Sequence, residues 1–205
     1  MQNAKILAQT AVAWPHVAAQ ESSDRDLLTK IAAGDRLAMR TLYGRHNVRV
    51  YRFVLRLVGD ESKAEDIVSE VFFEVWRQAG RFEGRSQVST WVLAIARYKA
   101  ITVMRQRQEE SVDEDFAESI ADPADDAQVT LEKKDTSIRL QRCLQQLSAE
   151  HRAIIDLVYY HEKSVEEAAA IVGVPRNTVK TRMFYARKRI ADLLAQSEGA
   201  PRTRQ

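Results

Sequence analysis

The 205-residue sequence predicts an all-α protein of two helical domains joined by a flexible acidic linker, on three observations. Only 7 Gly and 4 Pro occur while Ala, Leu, Arg, Glu and Gln are abundant, which favours long helices over turn-rich sheets. Apolar residues recur at three- and four-residue spacings on both sides of a stretch that has no sustained apolar period. The formal charge of +2 is also segregated, with +6 on residues 24–107, −9 on 108–135 and +5 on 136–205.

Residues 1–23 read as an extension. Met1 to Trp14 carries one Lys and a short apolar run broken by Gln9 and Thr10, a weak secretion signal that is too short to span a bilayer. The first domain is expected over 24–107. Leu27, Leu28, Ile31, Ala38, Leu42, Val50, Phe53 and Val54 keep helical spacing, with a break at Gly34-Asp35. A further helix begins near Gly59-Asp60, with Ile67, Val68, Val71, Phe72 and Val75 on one stripe and Glu65, Asp66, Glu70 and Glu74 flanking it. Those carboxylates would repel phosphates, so this face is either a protein-docking surface or a solvated one.

From Arg77 to Arg107 the balance reverses: seven basic residues face Glu83 alone, with Phe82, Trp91 and Tyr98 interleaved. Cations beside stacking surfaces suit single-stranded nucleic acid, although Trp91 fits a core anchor equally well. Glu109 to Asp126 then holds nine acids and no Lys or Arg, and would bury too little to offset its ordering entropy. Residues 108–135 are therefore expected to be linker.

The second domain is expected over 136–197, with a tail at 198–205. Leu140, Leu144 and Leu147 lead to Ser148, after which Ile154, Ile155, Leu157 and Val158 form a second apolar stretch, so two helices should join near Ser148. Ser164-Val165-Glu166-Glu167 matches a capping box. The helix it starts, with Val165, Ala168, Ala169 and Val172 inward, stops at Gly173. The next begins around Pro175 and repeats Val179, Met183, Ala186, Ile190 and Leu194. Short helix, tight turn and longer helix make a helix-turn-helix. Arg176, Lys180, Arg182, Arg187, Lys188 and Arg189 against Asp192 alone suit a major groove, the first turns reading base edges and the rest phosphates; the alternative is a basic solvated helix.

Cys143 is the only cysteine, which rules out an intramolecular disulfide and a Cys-based zinc cluster and fits a reducing cytoplasm. His16, His46, His151 and His161 show no metal-ligand spacing, and no nucleophile, paired-carboxylate or phosphate-loop motif stands out. No cofactor and no catalytic activity are expected.

Asp24-Arg25-Asp26-Leu27-Leu28, Gly34-Asp35, Ala64-Glu65-Asp66-Ile67-Val68, Val71-Phe72, Trp76 and the run from Phe82 to Arg97 together resemble region 2 of sigma-70 type transcription initiation factors of the extracytoplasmic function class. Gly173-Val174-Pro175, Thr178-Val179-Lys180 and Ala186-Arg187-Lys188-Arg189 are similar to region 4 of the same family. The resemblance, over about residues 24–194, implies a factor that recruits core RNA polymerase to promoter DNA. It implies polymerase docking through Glu65, Asp66, Ser69, Glu70, Phe72, Phe73 and Trp76. The melted minus-10 strand would be held by Phe82, Gly84, Arg85, Ser86, Thr90, Trp91, Arg97, Tyr98 and Arg105. The minus-35 duplex would be read by Arg176, Asn177, Thr178, Lys180, Thr181, Arg182, Phe184, Tyr185 and Lys188. Ser69, Tyr98 and Tyr185 stand where the family commonly has Gln, Asn and Arg. The linker either threads into the polymerase or acts as a spacer, and an anti-sigma factor is implied as regulator in a stress or envelope response, with no membrane insertion. The rival readings are an autonomous helix-turn-helix regulator and an adaptor that uses the same domains only for docking.

Overall fold

A computed structural model describes residues 23–110, 139–140 and 142–198; the expected extension except Ser23, most of the expected linker and most of the tail lie outside the described residues. Every regular element among the described residues is helical. Helix α1 (Asp24–Ala32) starts at a capping box in which Ser23 Oγ accepts from the Asp26 amide and Asp26 accepts from the Ser23 amide. It ends at Gly34, and Asp35 caps helix α2 (Arg36–Val58) by accepting from the Leu37 and Ala38 amides at 2.8 and 3.0 Å. Gly59 closes α2 in the left-handed conformation (φ +71°), where a Cβ would be disfavoured. Asp60 then caps helix α3 (Glu61–Gln78). Both predicted breaks are thus made by the residues that announce them.

A single 3-10 turn, Ala79–Arg81, and the loop 82–87 lead into helix α4 (Val88–Glu110), which continues past Arg107 into the first acidic residues. The second half has a short helix α5 at 139–140 and 142–145, then α6 (Ala149–Tyr159), α7 (Val165–Val172) and α8 (Arg176–Glu198). Ser148 caps α6, Ser164 and Glu167 form the expected capping box of α7, and Gly173 (φ +68°) makes the turn.

Helix α2 is central: α1, α3 and α4 pack on it around Leu42, Phe53, Leu57, Ile67, Val71 and Leu93. Helix α6 plays the same part for α7 and α8, with Ile154, Leu157, Ile171 and Val179 buried. The two halves do not stand apart, because α4 packs on α7 and α2 on α6, and one apolar core runs through both.

Polar contacts fix that junction. Arg152 donates to the carbonyls of Arg56 and Leu57 at the C-terminal end of α2 (3.3 and 3.1 Å). It also donates to those of Leu144, Gln145 and Leu147 at 3.1, 2.6 and 3.0 Å. A helix's last carbonyls have no partner within the helix, and a cation at that end complements the helix dipole. Arg56 in turn meets Asp156 at 2.5 Å and lies over the Tyr160 ring, while the Phe53 ring stands edge-on to His161. Replacing Arg152 with Met is expected to lower folding stability by about 3 kcal/mol, since the freed carbonyls lose charge-assisted partners. Urea unfolding measures it, and Arg152→Lys should recover little because an ammonium lacks the planar fork.

Candidate nucleic-acid interface

Three surfaces carry the predicted site residues. On α8, Arg176, Asn177, Lys180, Thr181, Phe184, Tyr185 and Lys188 are exposed and follow one another at helical spacing, while Val179 and Ala186 are fully buried beneath them. The Phe184 and Tyr185 rings, both more than half exposed, meet edge to face at 5.5 Å and form an apolar step within a cationic stripe. The Thr181 hydroxyl donates to the Asn177 carbonyl at 2.9 Å, so its one donor is used within the helix. Thr178 is half-buried, and Arg182 leans back to pair with Glu150 on α6 at 3.1 Å, so both flank the exposed stripe. Leu193 is buried in the last turns and Leu194 only partly, a shift of one residue from the expected repeat.

The second surface is the loop 82–87 with the outer face of α4. Phe82 and Trp91 are half-buried with tilted rings whose centroids lie 5.3 Å apart, a contact that ties the start of the loop to α4. Gly84 takes φ +70°, Arg85 pairs with Glu83 at 2.6 Å, and Ser86 donates to the Gln87 carbonyl. An open cleft of about 620 Å³ is bounded by Asp24, Arg25 and the loop from Gly84 onward. Tyr98, 69% exposed, and Arg105 continue the face along α4.

Two residues assigned to this surface lie elsewhere. Thr90 is 2% exposed: its hydroxyl donates to Glu167 at 2.9 Å, and Lys163 Nζ reaches Thr90, Ser89 and Glu167 at 3.2, 2.9 and 2.9 Å. Helix α7 therefore covers the first turn of α4. Arg97 is half-buried and shares its surroundings with Arg182 and Glu150; burial first, then the Arg182 charge, lowers its pKa, against Glu150.

The third surface is the outer face of α3. Glu65, Asp66, Ser69 and Glu70 are exposed, with Glu70 paired to Lys99 at 2.9 Å and the Ser69 hydroxyl bonded to the Glu65 carbonyl. Phe72 is a core residue, 4% exposed and edge-on to Tyr43 at 4.7 Å, and Trp76 is half-buried. The apolar contact of this face accordingly falls to Phe73, 62% exposed, one helical step of about 100° away from Phe72. Sequence reasoning missed Tyr43, Arg25 and the Lys163–Glu167–Thr90 contact. The capping box identified one oxygen of Glu167, but nothing local shows that its other oxygen meets a side chain 77 residues away. Among the described residues no His, Cys, Asp or Glu cluster could hold a metal, and no helix is long and apolar enough to cross a membrane.

A basic helix-turn-helix, an aromatic loop leading into a basic helix and an acidic helix face on one chain are the features expected of an initiation factor of the sigma-70 type. The comparisons agree: residues 42–110 match Sigma-70 region 2 and residues 137–190 match Sigma-70, region 4. The ECF RNA polymerase sigma factor SigL of Mycobacterium tuberculosis is 31% identical over 160 residues, covering 76% of this chain and 88% of its own length. SigK of Mycobacterium bovis, also an ECF RNA polymerase sigma factor, is 30% identical over 177 residues, with 84% and 95% covered. Among solved structures, the sigma factor RpoE of Bartonella quintana, co-crystallised with the anti-sigma factor NepR, superposes with a TM-score of 0.65 at 28% identity, over 76% of this chain and 96% of that one. CnrH in complex with the cytosolic domain of CnrY shares the fold, with a TM-score of 0.64 at 22% identity over 85% and 99% of the two chains. The chain belongs to the extracytoplasmic function sigma factors. It binds core RNA polymerase and promoter DNA in transcription initiation and is not an enzyme.

The Glu167 carboxyl is held at about 2, far below its ordinary 4.5: burial opposes its charge but is outweighed by hydrogen bonds from Lys163, the Ser164 amide and Thr90, and by the Lys163 charge. A depressed carboxyl contributes stability that is present above its unfolded value and lost as pH falls toward the folded one. The stability difference between the natural chain and Glu167→Gln should therefore shrink between about pH 5 and about pH 3 in urea titrations. An unchanged difference would mean that the carboxylate charge contributes nothing to the closure of α7 on α4.

Proposed function

We propose that the three surfaces divide the work of initiation. The exposed stripe of α8 reads the minus-35 duplex, with Lys180, Thr181, Phe184 and Tyr185 toward the groove and Lys188 toward the backbone. The loop 82–87, with Tyr98 and Arg105, holds the melted minus-10 strand by charge and stacking. The face of α3 carrying Glu65, Asp66, Ser69 and Phe73 docks on the polymerase. The observation that carries this reading is the segregation of charge: cations with aromatic rings stand outward on α8 and along α4, while the outer face of α3 presents carboxylates that would repel DNA.

Distance adds a mechanical requirement. Two elements centred about 25 base pairs apart lie about 85 Å apart along straight duplex at ~3.4 Å per step. A closed body of this size is only about 40 Å across. Residues 24–107 and 136–197 thus act as separable modules, and docking on polymerase draws α7 off α4, exposing Thr90 to the strand. The 28 residues 111–138 have a contour of up to about 95 Å, enough for that separation. Tethering then lets two weak DNA contacts act as one strong one.

Polymerase and promoter place this activity in the cytoplasm. An anti-sigma factor is the expected regulator, as the co-crystallised partner of the Bartonella quintana relative suggests, and release from it in a stress or envelope response would start transcription.

Lys180→Ala or Thr181→Ala is expected to reduce promoter-dependent initiation about tenfold while leaving polymerase binding intact. Run-off transcription beside a polymerase affinity measurement tests it, and equal loss of both would remove the direct DNA role of α8.

A further inference from the structure

The loop 82–87 has little to hold it. Its polar contacts are mostly local, between Glu83 and Arg85, Ser86 and Gln87, and Gln87 and Ser89. One hydrogen bond comes from far away: Arg25 Nη2 on α1 donates to the Gly84 carbonyl at 2.9 Å, across 59 residues of sequence. The fit around it is close. A Cβ added to Gly84 would lie 2.8 Å from Arg25 Nη2 and 3.0 Å from Cζ, and the φ of +70° already disfavours a side chain there. Arg25 also borders both clefts on the two sides of the loop, one with Ser86 and Val88, the other with Ala79 and Phe82.

The neighbouring charges leave Arg25 to this task. Asp24, the adjacent acid, is engaged by Arg45 at 2.8 Å and His46 at 2.7 Å, and Asp26 is taken up by the Ser23 cap. Helix α1 itself is fixed by buried Leu27, Leu28 and Ile31, so its first turn is a rigid support. It precedes residue 42, where the match to Sigma-70 region 2 begins.

We infer that Arg25 is a positioning residue for strand capture: through the Gly84 carbonyl it sets the conformation of the loop 82–87 and so the shape of the cleft that receives a nucleotide of the melted strand. This rests on the strand-holding role proposed for the loop. One N–H is spent on Gly84, and the rest of the guanidinium fork remains at the cleft wall, where it adds positive potential for the strand's phosphates.

The test uses the full chain bound to core polymerase and two probes, a fork-junction DNA with a single-stranded minus-10 segment and a minus-35 duplex. Arg25→Ala is expected to weaken fork-junction binding about tenfold, with minus-35 duplex binding, polymerase affinity and thermal unfolding unchanged. Gly84→Ala should also weaken fork-junction binding, and the two substitutions together should cost clearly less than the product of their separate effects, because removing the guanidinium removes the collision. Independent, multiplicative effects would overturn the positioning role. If Ser86→Ala weakens strand binding and Arg25→Ala does not, the inference fails while the loop reading stands. If neither substitution matters, the loop reading falls and the inference with it.

Discussion

One guanidinium holds the two halves of this chain at their helix ends. Arg152 is largely withdrawn from water, which lowers its pKa from the usual arginine value, and it gathers five backbone carbonyls from the ends of α2 and the segment around α5. Taking a charge out of water is costly unless its hydrogen bonds are remade, and carbonyls left over at helix C-termini are suited to remaking them. Once Arg152 is seated, α6 lies against α2, Arg56 meets Asp156, and α7 has only the start of α4 to cover. The buried Lys163 with Glu167 and Thr90 completes the closure from the other end.

The same architecture explains why charge is distributed as it is. Some cations near the junction are paired with carboxylates, Arg56 with Asp156, Lys163 with Glu167 and Arg182 with Glu150, whereas Arg152 is held by carbonyls. Other cations stand outward on α8 and along α4, where solvent screens them and where the proposed function would set them against phosphates. Exposed carboxylates stand on α3, a face that would repel nucleic acid and that the proposed division of work gives to a protein partner. Thr90, Arg97 and Arg182 are expected to meet DNA, yet in the closed chain they sit at or beside the junction. The Thr90 hydroxyl serves the junction in the closed chain, and the proposed parting of the halves would free it.

Much of the fold was legible because its punctuation is local. Gly34-Asp35, Gly59-Asp60, Ser164 with Glu167, and Gly173 each end or begin a helix by chemistry confined to a few residues. The exposed stripe of α8 was legible for the same reason, since Val179 and Ala186 fix which side is inward. Periodicity puts Phe72 and not Phe73 on the apolar stripe of α3, and Phe72 is indeed core, edge-on to Tyr43; it is the resemblance that assigns both rings to docking. The pairs of Arg56 with Asp156 and Thr90 with Glu167 span 100 and 77 residues, and no local pattern encodes them. The continuation of α4 to Glu110 is not legible in the sequence, because the acidic run that begins at Glu109 reads as linker.

Closure of the free chain, with α7 on α4, and its opening by polymerase are tested most directly by a distance between the halves. Spin labels at Ser62→Cys on α3 and Gln196→Cys on α8, both exposed positions, placed in a Cys143→Ser background, report that separation by double electron–electron resonance. One narrow, short distance is expected in the free chain, lengthening when core polymerase is added. A broad, long distribution in the free chain, unaltered by polymerase, would contradict it.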